Sequence, residues 1–504
     1  MDDLEPGARN AERALNSATA RTEEPLLHWW FDSATKWLLY FTVVFAPWAF
    51  GTTQPWSIGV MNVAGCLLGG LLAGKWTVRW ATGWEAAVPA AACEARPKGA
   101  RWPLSVLAGL TVLMLGYCLT SAVNARATYL TAERGFDYHD CLAWLPHSYD
   151  STSSWRAFWA YLALAAMFWG ARDWIMGGRQ GPTPDERGLA GWRRGLRLPE
   201  RLQRLLWLVS VNGALLALEG TLQRTCATNR LLWLVQPFYD KNPDNQFGPY
   251  AYRGNAAQYL GLVWPLTLGF WCLLRLGATH KLRQRSTANL LLPCAMLTAI
   301  APLISLSRAG ALISCGTTVM AAILLLGAGR QAGWKWKLGL AGFLAAVLAL
   351  GWLVGWTGLA KRFKTTQEDF ASGRGRAWQV SLRMARDYPV FGTGPGTFES
   401  VYQLYRRTPY EDWFAFAHND WLETVVTFGR VGFSGVVFML ILAVSGWSLR
   451  CGSIPAHRVL VRFLWLSLAG CLLYAVVDFP FQIYSVRFLF LLVCSILSCL
   501  SRPG

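Results

Sequence analysis

Apolar residues in this chain come in runs of about 17–22, the length a helix needs to cross a hydrocarbon core about 30 Å thick. Inside a bilayer no water satisfies loose backbone groups, so a chain with many such runs must fold as spanning helices. Twelve runs are legible, near 37–53, 56–74, 103–122, 155–171, 205–222, 256–276, 288–305, 309–328, 337–357, 432–449, 460–477 and 483–500. Pro47, Gly51 and Pro55 interrupt the first pair. Composition agrees: 54% of residues are apolar and only 15% charged, against about 25% charged in an ordinary soluble domain. Many of the 28 tryptophans lie at run ends, as Trp37, Trp56, Trp102, Trp155 and Trp336 do, where an amphipathic ring suits the membrane interface. The expected fold class is therefore all-α integral membrane, with about 12 transmembrane helices.

Orientation follows from the basic loops. The segment 172–204 carries Arg172, Arg179, Arg187, Arg193, Arg194, Arg197, Arg201 and Arg204, and segments 275–287, 330–337 and 450–462 are also basic. All four fall on one side if the spans alternate, and the positive-inside rule makes that side cytoplasmic. The same distribution explains the net charge of +18 without nucleic acid, because no basic face or nucleic-acid-binding motif accompanies it. Residues 1–36 are expected to be a cytoplasmic N-terminal tail. It lacks the basic start and short apolar core of a cleaved signal, so the first helix is expected to act as an uncleaved anchor. Helices 1–9 would then occupy 37–357, a large external loop 358–431, and helices 10–12 residues 432–504.

That external loop is too long for a simple connection. Its stretch 376–388 places Trp378, Leu382 and Met384 with Ala385 at near-helical spacing, which predicts a short helix, and Ala415–Phe428 also reads as helical, running toward the tenth span. Most of the 12 cysteines lie inside apolar runs and behave as small hydrophobes. Cys141 and Cys226, in polar loops, are the two placed to pair in an oxidising compartment.

The outer side departs from the usual charge rule. Arg253, Arg308, Arg374, Arg376, Arg383, Arg386, Arg406 and Arg407 all fall there, several near membrane ends. Each taken singly could snorkel to lipid headgroups or pair with Asp369, Asp387, Glu399 or Glu411. Taken together they suit a bound polyanion, since guanidinium forks make bidentate bonds to phosphate oxygens and stay charged at any biological pH. Metal, the other way to hold phosphate, calls for clustered carboxylates, and the outer loops show no D-x-D; His139, Asp140, His147 and Asp150 are irregularly spaced. No metal or other cofactor is expected. The glycine-rich run Phe391–Gly396 lacks the Lys-Ser/Thr of a nucleotide loop and reads as a tight turn. His418, the single histidine of the large loop, is the candidate proton acceptor, imidazole being the side chain whose ordinary pKa suits a base near neutrality.

Several runs share an order with one known superfamily. They are Ser305-Leu306-Ser307-Arg308-Ala309-Gly310, Gly373-Arg374-Gly375-Arg376-Ala377-Trp378, and Asp387-Tyr388-Pro389 through Gly394. Ala417-His418-Asn419-Asp420-Trp421-Leu422-Glu423, Gly429-Arg430-Val431-Gly432 and Val477-Asp478-Phe479-Pro480 complete the set. Together, over about residues 250–490, they resemble the signature of the O-antigen ligase and O-antigen polymerase superfamily. The match departs at Tyr252-Arg253-Gly254-Asn255, where the family's asparagine-rich stretch is reduced to one asparagine.

The resemblance implies a metal-independent, inverting glycosyltransferase of the GT-C-like membrane class. Such an enzyme takes glycan from an undecaprenyl-pyrophosphate-linked donor and passes it to a glycan or lipid A-core acceptor. It would reside, multi-pass and surrounded by membrane lipids, in the bacterial inner membrane with its active site facing the periplasm. By the same resemblance His418, Arg374 and Arg308 are the expected catalytic residues, with Arg376, Arg253, Asn419 and Asp478 as substrate-binding ones. The competing reading is a membrane transporter, for example a bicarbonate-type carrier. Transport predicts ionisable residues within spans and paired repeats; Glu219, near the outer end of the fifth span, is the clearest such residue, and no repeat is visible.

Overall fold

The computed structural model describes residues 24–84, 102–177, 198–226, 228–237, 242–276, 287–328, 373–407, 413–448 and 455–500, with scattered positions between 341 and 364. Most of the ninth expected span and of the arginine-rich segment 172–204 lies outside the described residues. What is described is mostly helical. In chain order the main helices are α1 (Leu26–Trp48), α2 (Pro55–Thr82), α3 (Trp102–Val123), α4 (Ser151–Met176), α5 (Glu200–Thr225) and α6 (Arg253–Leu276). They continue as α7 (Leu291–Ile304), α8 (Arg308–Ala328), α9 (Gly375–Asp387), α10 (Phe398–Tyr402), α11 (Asp420–Ser448), α12 (Pro455–Val477) and α13 (Tyr484–Leu500). A small hairpin of β1 (Ala127–Leu130) and β2 (Gly135–Tyr138) pairs Ala127 with Tyr138.

Among the described residues, eight helices are long and apolar enough to cross a membrane. Four of the twelve expected spans account for the difference. Helices α1 and α4 are 23 and 26 residues long but carry charges such as Asp32, Lys36, Arg156 and Arg172. Helix α13 has only 17 residues, and 337–357 is largely undescribed. The first helix also begins at Leu26 rather than near 37, and ends before the left-handed turn Phe50–Thr52.

Helix α6 is the hub. It packs on α12, α7 and α5, and most of its side chains are buried. Close approach is built from small residues, as usual between spanning helices: a methyl added at Gly269 would lie 2.5 Å from the Phe463 Cβ on α12. Helices α1, α2, α4 and α5 pack into the same core and carry an ion-pair network that hydropathy does not reveal. Fully buried Lys75 reaches Asp173 at 2.7 Å and Asp32 at 3.5 Å. Arg79 binds Asp173 at 2.6 Å and Arg201 binds Asp32 at 2.8 Å, so each buried charge is compensated. Cys141 and Cys226 are both free thiols.

Candidate functional site

The glycine-rich motif before the site is a strap across a kink. Helix α11 breaks its helical geometry at Gly429, with φ 61° and ψ −171°, which frees carbonyls that the next turn would otherwise engage. The turn segment Pro389–Gly394 takes them up: Thr393 N–H donates to the Val426 carbonyl at 2.8 Å, and Gly394 N–H to the Thr427 carbonyl at 2.9 Å. In return, Arg430 N–H donates to the Pro389 carbonyl at 2.9 Å. A side chain at Gly429 would collide with the Val390 carbonyl. Helix α9 packs against α11 and α10 through Ala377, Val380, Ser381 and Met384, the i, i+3, i+4, i+7 face of a helix. The helix expected over 376–388 is present, with Leu382 on its exposed side.

The start of α11 is held by its own polar residues. Asn419 caps it, its Oδ1 accepting from Leu422 N–H at 3.0 Å, and Glu423 reaches back to accept from Ala417 N–H at 2.8 Å. Asp420 accepts from Phe481 N–H at 2.7 Å and from the Gln482 amide at 3.1 Å, which latches the turn following α12 onto the start of α11. Between these two fastenings His418 sits at φ 52°, a left-handed backbone that non-glycine residues adopt rarely.

The latch brings His418 to Asp478. Its Nδ1 lies 3.1 Å from Asp478 Oδ1. The Asp478 carboxylate is 1% exposed and fully occupied. Arg374 approaches the same Oδ1 at 3.9 Å, while Oδ2 accepts from the Gln258 amide at 3.1 Å and the Tyr252 hydroxyl at 3.4 Å. Arg374 in turn donates to the Tyr252 hydroxyl at 3.2 Å. The Trp378 indole donates to the His418 carbonyl at 3.4 Å, tying α9 to the same point. Phe479 packs edge-on to the imidazole at 4.8 Å and stacks on Phe416 and Tyr252. Burial, reinforced by the charge of Asp478, pushes the Tyr252 phenol up to about 12, with Arg374 and Arg253 pulling the other way. It therefore stays a neutral hydrogen-bonding group near pH 7.

A second group of cations lies one residue away in sequence. Arg253 donates to the Asp244 carbonyl at 2.6 Å and to Asn245 Oδ1. Arg362 donates to the same Asn245 oxygen at 3.3 Å, and Arg308 donates to the Arg362 carbonyl at 3.1 Å. Arg224 binds Asp244 Oδ1 at 3.2 Å and the Ser305 carbonyl at 3.1 Å, which braces the turn before Arg308. Ser307 starts α8 by accepting from Gly310 N–H at 3.1 Å, so Arg308 occupies the first position of that helix. Tyr252 and Arg253 thus send adjacent side chains into the two halves of one polar region.

Of the residues singled out from sequence, Arg374, His418 and Asp478 converge on one carboxylate. Arg253 and Arg308 share the Asn245–Arg362 group. Asn419 turns inward as a helix cap, and Arg376 is exposed on α9, without a hydrogen bond or ion pair to the described residues. Tyr252, Gln258, Arg362 and Arg224 were not anticipated. Tyr252 and Gln258 flank the Arg253 motif, whereas Arg362 and Arg224 carry no motif at all. Asp150, in the irregular histidine-aspartate loop, caps α4 through Thr152 N–H, and His139 bonds Thr128. Glu219 is half-buried in α5, its two carboxylate oxygens covered and neither hydrogen-bonded among the described residues.

Residues 293–437 match the family model described as O-antigen ligase, in agreement with the superfamily resemblance of the motifs. The matched segment contains Arg308, Arg374, His418 and Asn419; Tyr252, Arg253 and Asp478 lie outside it. No curated protein matches the chain.

Proposed function

We propose that this multi-pass membrane protein is a metal-independent, inverting glycosyltransferase of the O-antigen ligase or polymerase type. Its donor would be a glycan on undecaprenyl pyrophosphate, and its acceptor a second lipid-linked glycan or lipid A-core at the periplasmic face of the bacterial inner membrane. The observation that carries the reading is the His418–Asp478–Arg374 constellation, with His418 Nδ1 3.1 Å from a buried carboxylate.

An ionised carboxylate only accepts hydrogen bonds, so Nδ1 carries the proton and Nε2 is left as the basic nitrogen. Nε2 takes the proton of the acceptor hydroxyl as its oxygen attacks the anomeric carbon of the donor. The bond from that carbon to the pyrophosphate oxygen breaks on the opposite face, so the configuration inverts. The electron pair leaves with the pyrophosphate. Fixed guanidinium groups meet that growing charge without reorganising, Arg374 nearest the histidine and Arg253 and Arg308 from the neighbouring group. Asp478 orients the imidazole and stabilises its cation, while Tyr252 and Gln258 hold Asp478.

The test is glycan transfer by the purified protein in proteoliposomes, supplied with an undecaprenyl-pyrophosphate-linked glycan and either class of acceptor. Transfer to one acceptor, with the opposite anomeric configuration in the product, is expected. Absence of transfer to both, in protein that folds and binds the donor, would overturn the reading.

A further inference from the structure

Helix α5 has 26 residues, so at 1.5 Å per residue it is about 39 Å long, more than a hydrocarbon core of about 30 Å. Its last turn, with Gln223 and Arg224, therefore lies at headgroup level. Its side chains Val211, Leu215, Leu218 and Leu222 form an exposed apolar stripe, which in a spanning helix is its lipid face.

Just beyond that end the chain makes a tight turn. Leu231 N–H donates to the Val235 carbonyl at 2.8 Å and Val235 N–H returns to Leu231 at 3.1 Å. The turn cannot swing away from the helix, because the buried Gln223 amide donates to the Arg230 carbonyl at 3.0 Å and the other end of the same amide accepts from Gly248 N–H. At its tip Trp233, Leu234 and Val235 are 42%, 74% and 47% exposed. Leu232 and Trp233 adopt left-handed backbone, φ 51° and 58°. Asn or Gly would relax such a turn; here two bulky apolar residues occupy it and present three consecutive apolar side chains outward. The Arg230 side chain, at the base of the turn, is also exposed.

We propose that the turn Leu231–Val235 inserts into the lipid leaflet on the side of the arginine group, continuing the lipid face of α5. Trp233, Leu234 and Val235 would lie among the upper acyl chains and Arg230 among the lipid phosphates, the depth at which aromatic and basic anchors are favoured. Apolar surface that water would otherwise cover is then removed from it. Through Gln223, the anchor also holds the neighbouring Arg224 and the 243–246 segment at headgroup height. This inference requires only that α5 spans the bilayer; it does not rest on the proposed reaction.

The experiment places an environment-sensitive fluorescent amino acid at position 234 by codon suppression, leaving the native cysteines in place. A second variant carries it at the exposed polar position 229. Each full-length protein is reconstituted into phosphatidylethanolamine–phosphatidylglycerol vesicles. At 234 the emission should shift to the blue and lose intensity to lipids bearing a nitroxide high on the acyl chain, with little loss to aqueous iodide. At 229 iodide should quench. Iodide quenching at 234 equal to that at 229, without lipid quenching, would overturn the proposal. Should the 234 variant fail to accumulate, the probe at 235 reads the same tip with the same two outcomes.

Discussion

His418 and Asp478, sixty residues apart and on two different turns, meet at 3.1 Å because Asp420 latches one turn onto the other. If the histidine is the base, His418→Ala should lower turnover by about 10²–10⁴ while sparing donor binding. Asp478→Asn should lower turnover by roughly 10- to 100-fold, as expected for losing a charge-assisted bond of about 1.5–3 kcal/mol. Donor binding and turnover measured side by side, on membranes with matched expression, check both. Near-normal turnover in His418→Ala would remove the base assignment.

Tyr252 bridges Arg374 and Asp478, and its raised phenol has a consequence for stability. Below pH 10, the ordinary tyrosine value, the phenol is protonated both folded and unfolded, and contributes no pH dependence. Between there and about 12 the unfolded chain releases a proton that the folded chain keeps, so stability falls as pH rises through that window. Tyr252→Phe should therefore lose less thermal stability between pH 9 and pH 11 than the parent does. Its turnover at neutral pH should drop only a few-fold, roughly one neutral hydrogen bond of about 0.5–1.5 kcal/mol. Thermal unfolding in detergent at the two pH values decides the first point. An equal loss in both proteins would mean Tyr252 is not the buried group described.

Much of this architecture is legible in the chain because hydropathy reports what lipid requires. Eight helices match expected spans in place if not in their ends. The polar detail is less legible, because it depends on which turns meet. Arg374, His418 and Asp478 are visible as motif residues, yet nothing in their spacing says that they share one carboxylate. Tyr252 and Gln258 become partners of Asp478 only once α6 lies beside the turn after α12. Arg362 sits in a stretch with no periodicity. The short helix α9 is legible from its spacing, but not which side it buries, because that side is chosen by packing against α10 and α11 through Ala377, Val380, Ser381 and Met384. Lys75 and Asp32 are not legible as partners because each falls just outside the apolar run beside it, 56–74 and 37–53, and only the longer helices Pro55–Thr82 and Leu26–Trp48 bring them together.

The kink in α11 offers a test of the strap independent of chemistry. Gly429 lies at positive φ and faces the Val390 carbonyl, so Gly429→Ala combines backbone strain of about 1–3 kcal/mol with a steric clash. Lower thermal stability and lost transfer are expected together, since the helix that the strap fastens is the one that follows directly on His418. An alanine variant as stable as the parent would show that the kink is not required.

Topology is open to direct labelling. With a cysteine-free background, a cysteine at position 399, where Glu399 is exposed, should react with an impermeant maleimide in intact spheroplasts. One at position 190 should react only after lysis, because residues 172–204 carry the densest arginine cluster and are expected to be cytoplasmic. The reverse pattern would turn the whole arrangement over, and with it the side on which any donor is met.

The arginines divide into two groups, and the division predicts different responses. Arg374 touches both Tyr252 and Asp478 through one nitrogen, so Arg374→Ala removes leaving-group stabilisation and also loosens the carboxylate that orients His418. Donor affinity and turnover should both fall, each by roughly 10- to 100-fold if about 1.5–3 kcal/mol is lost. Arg308 and Arg253 contact carbonyls and Asn245 rather than Asp478, so Arg308→Ala should act mainly on donor affinity. Lysine should rescue either position only in part, since an ammonium is a point charge without the planar fork. Among the described residues no three His, Cys, Asp or Glu side chains group as metal ligands. If these arginines are the whole clamp, transfer should survive EDTA in the parent protein. Activity lost to chelator and restored by magnesium would assign part of the phosphate charge to a cation instead. Equal effects of Arg308→Ala and Arg374→Ala on turnover, with donor affinity unchanged, would dissolve the division into two groups.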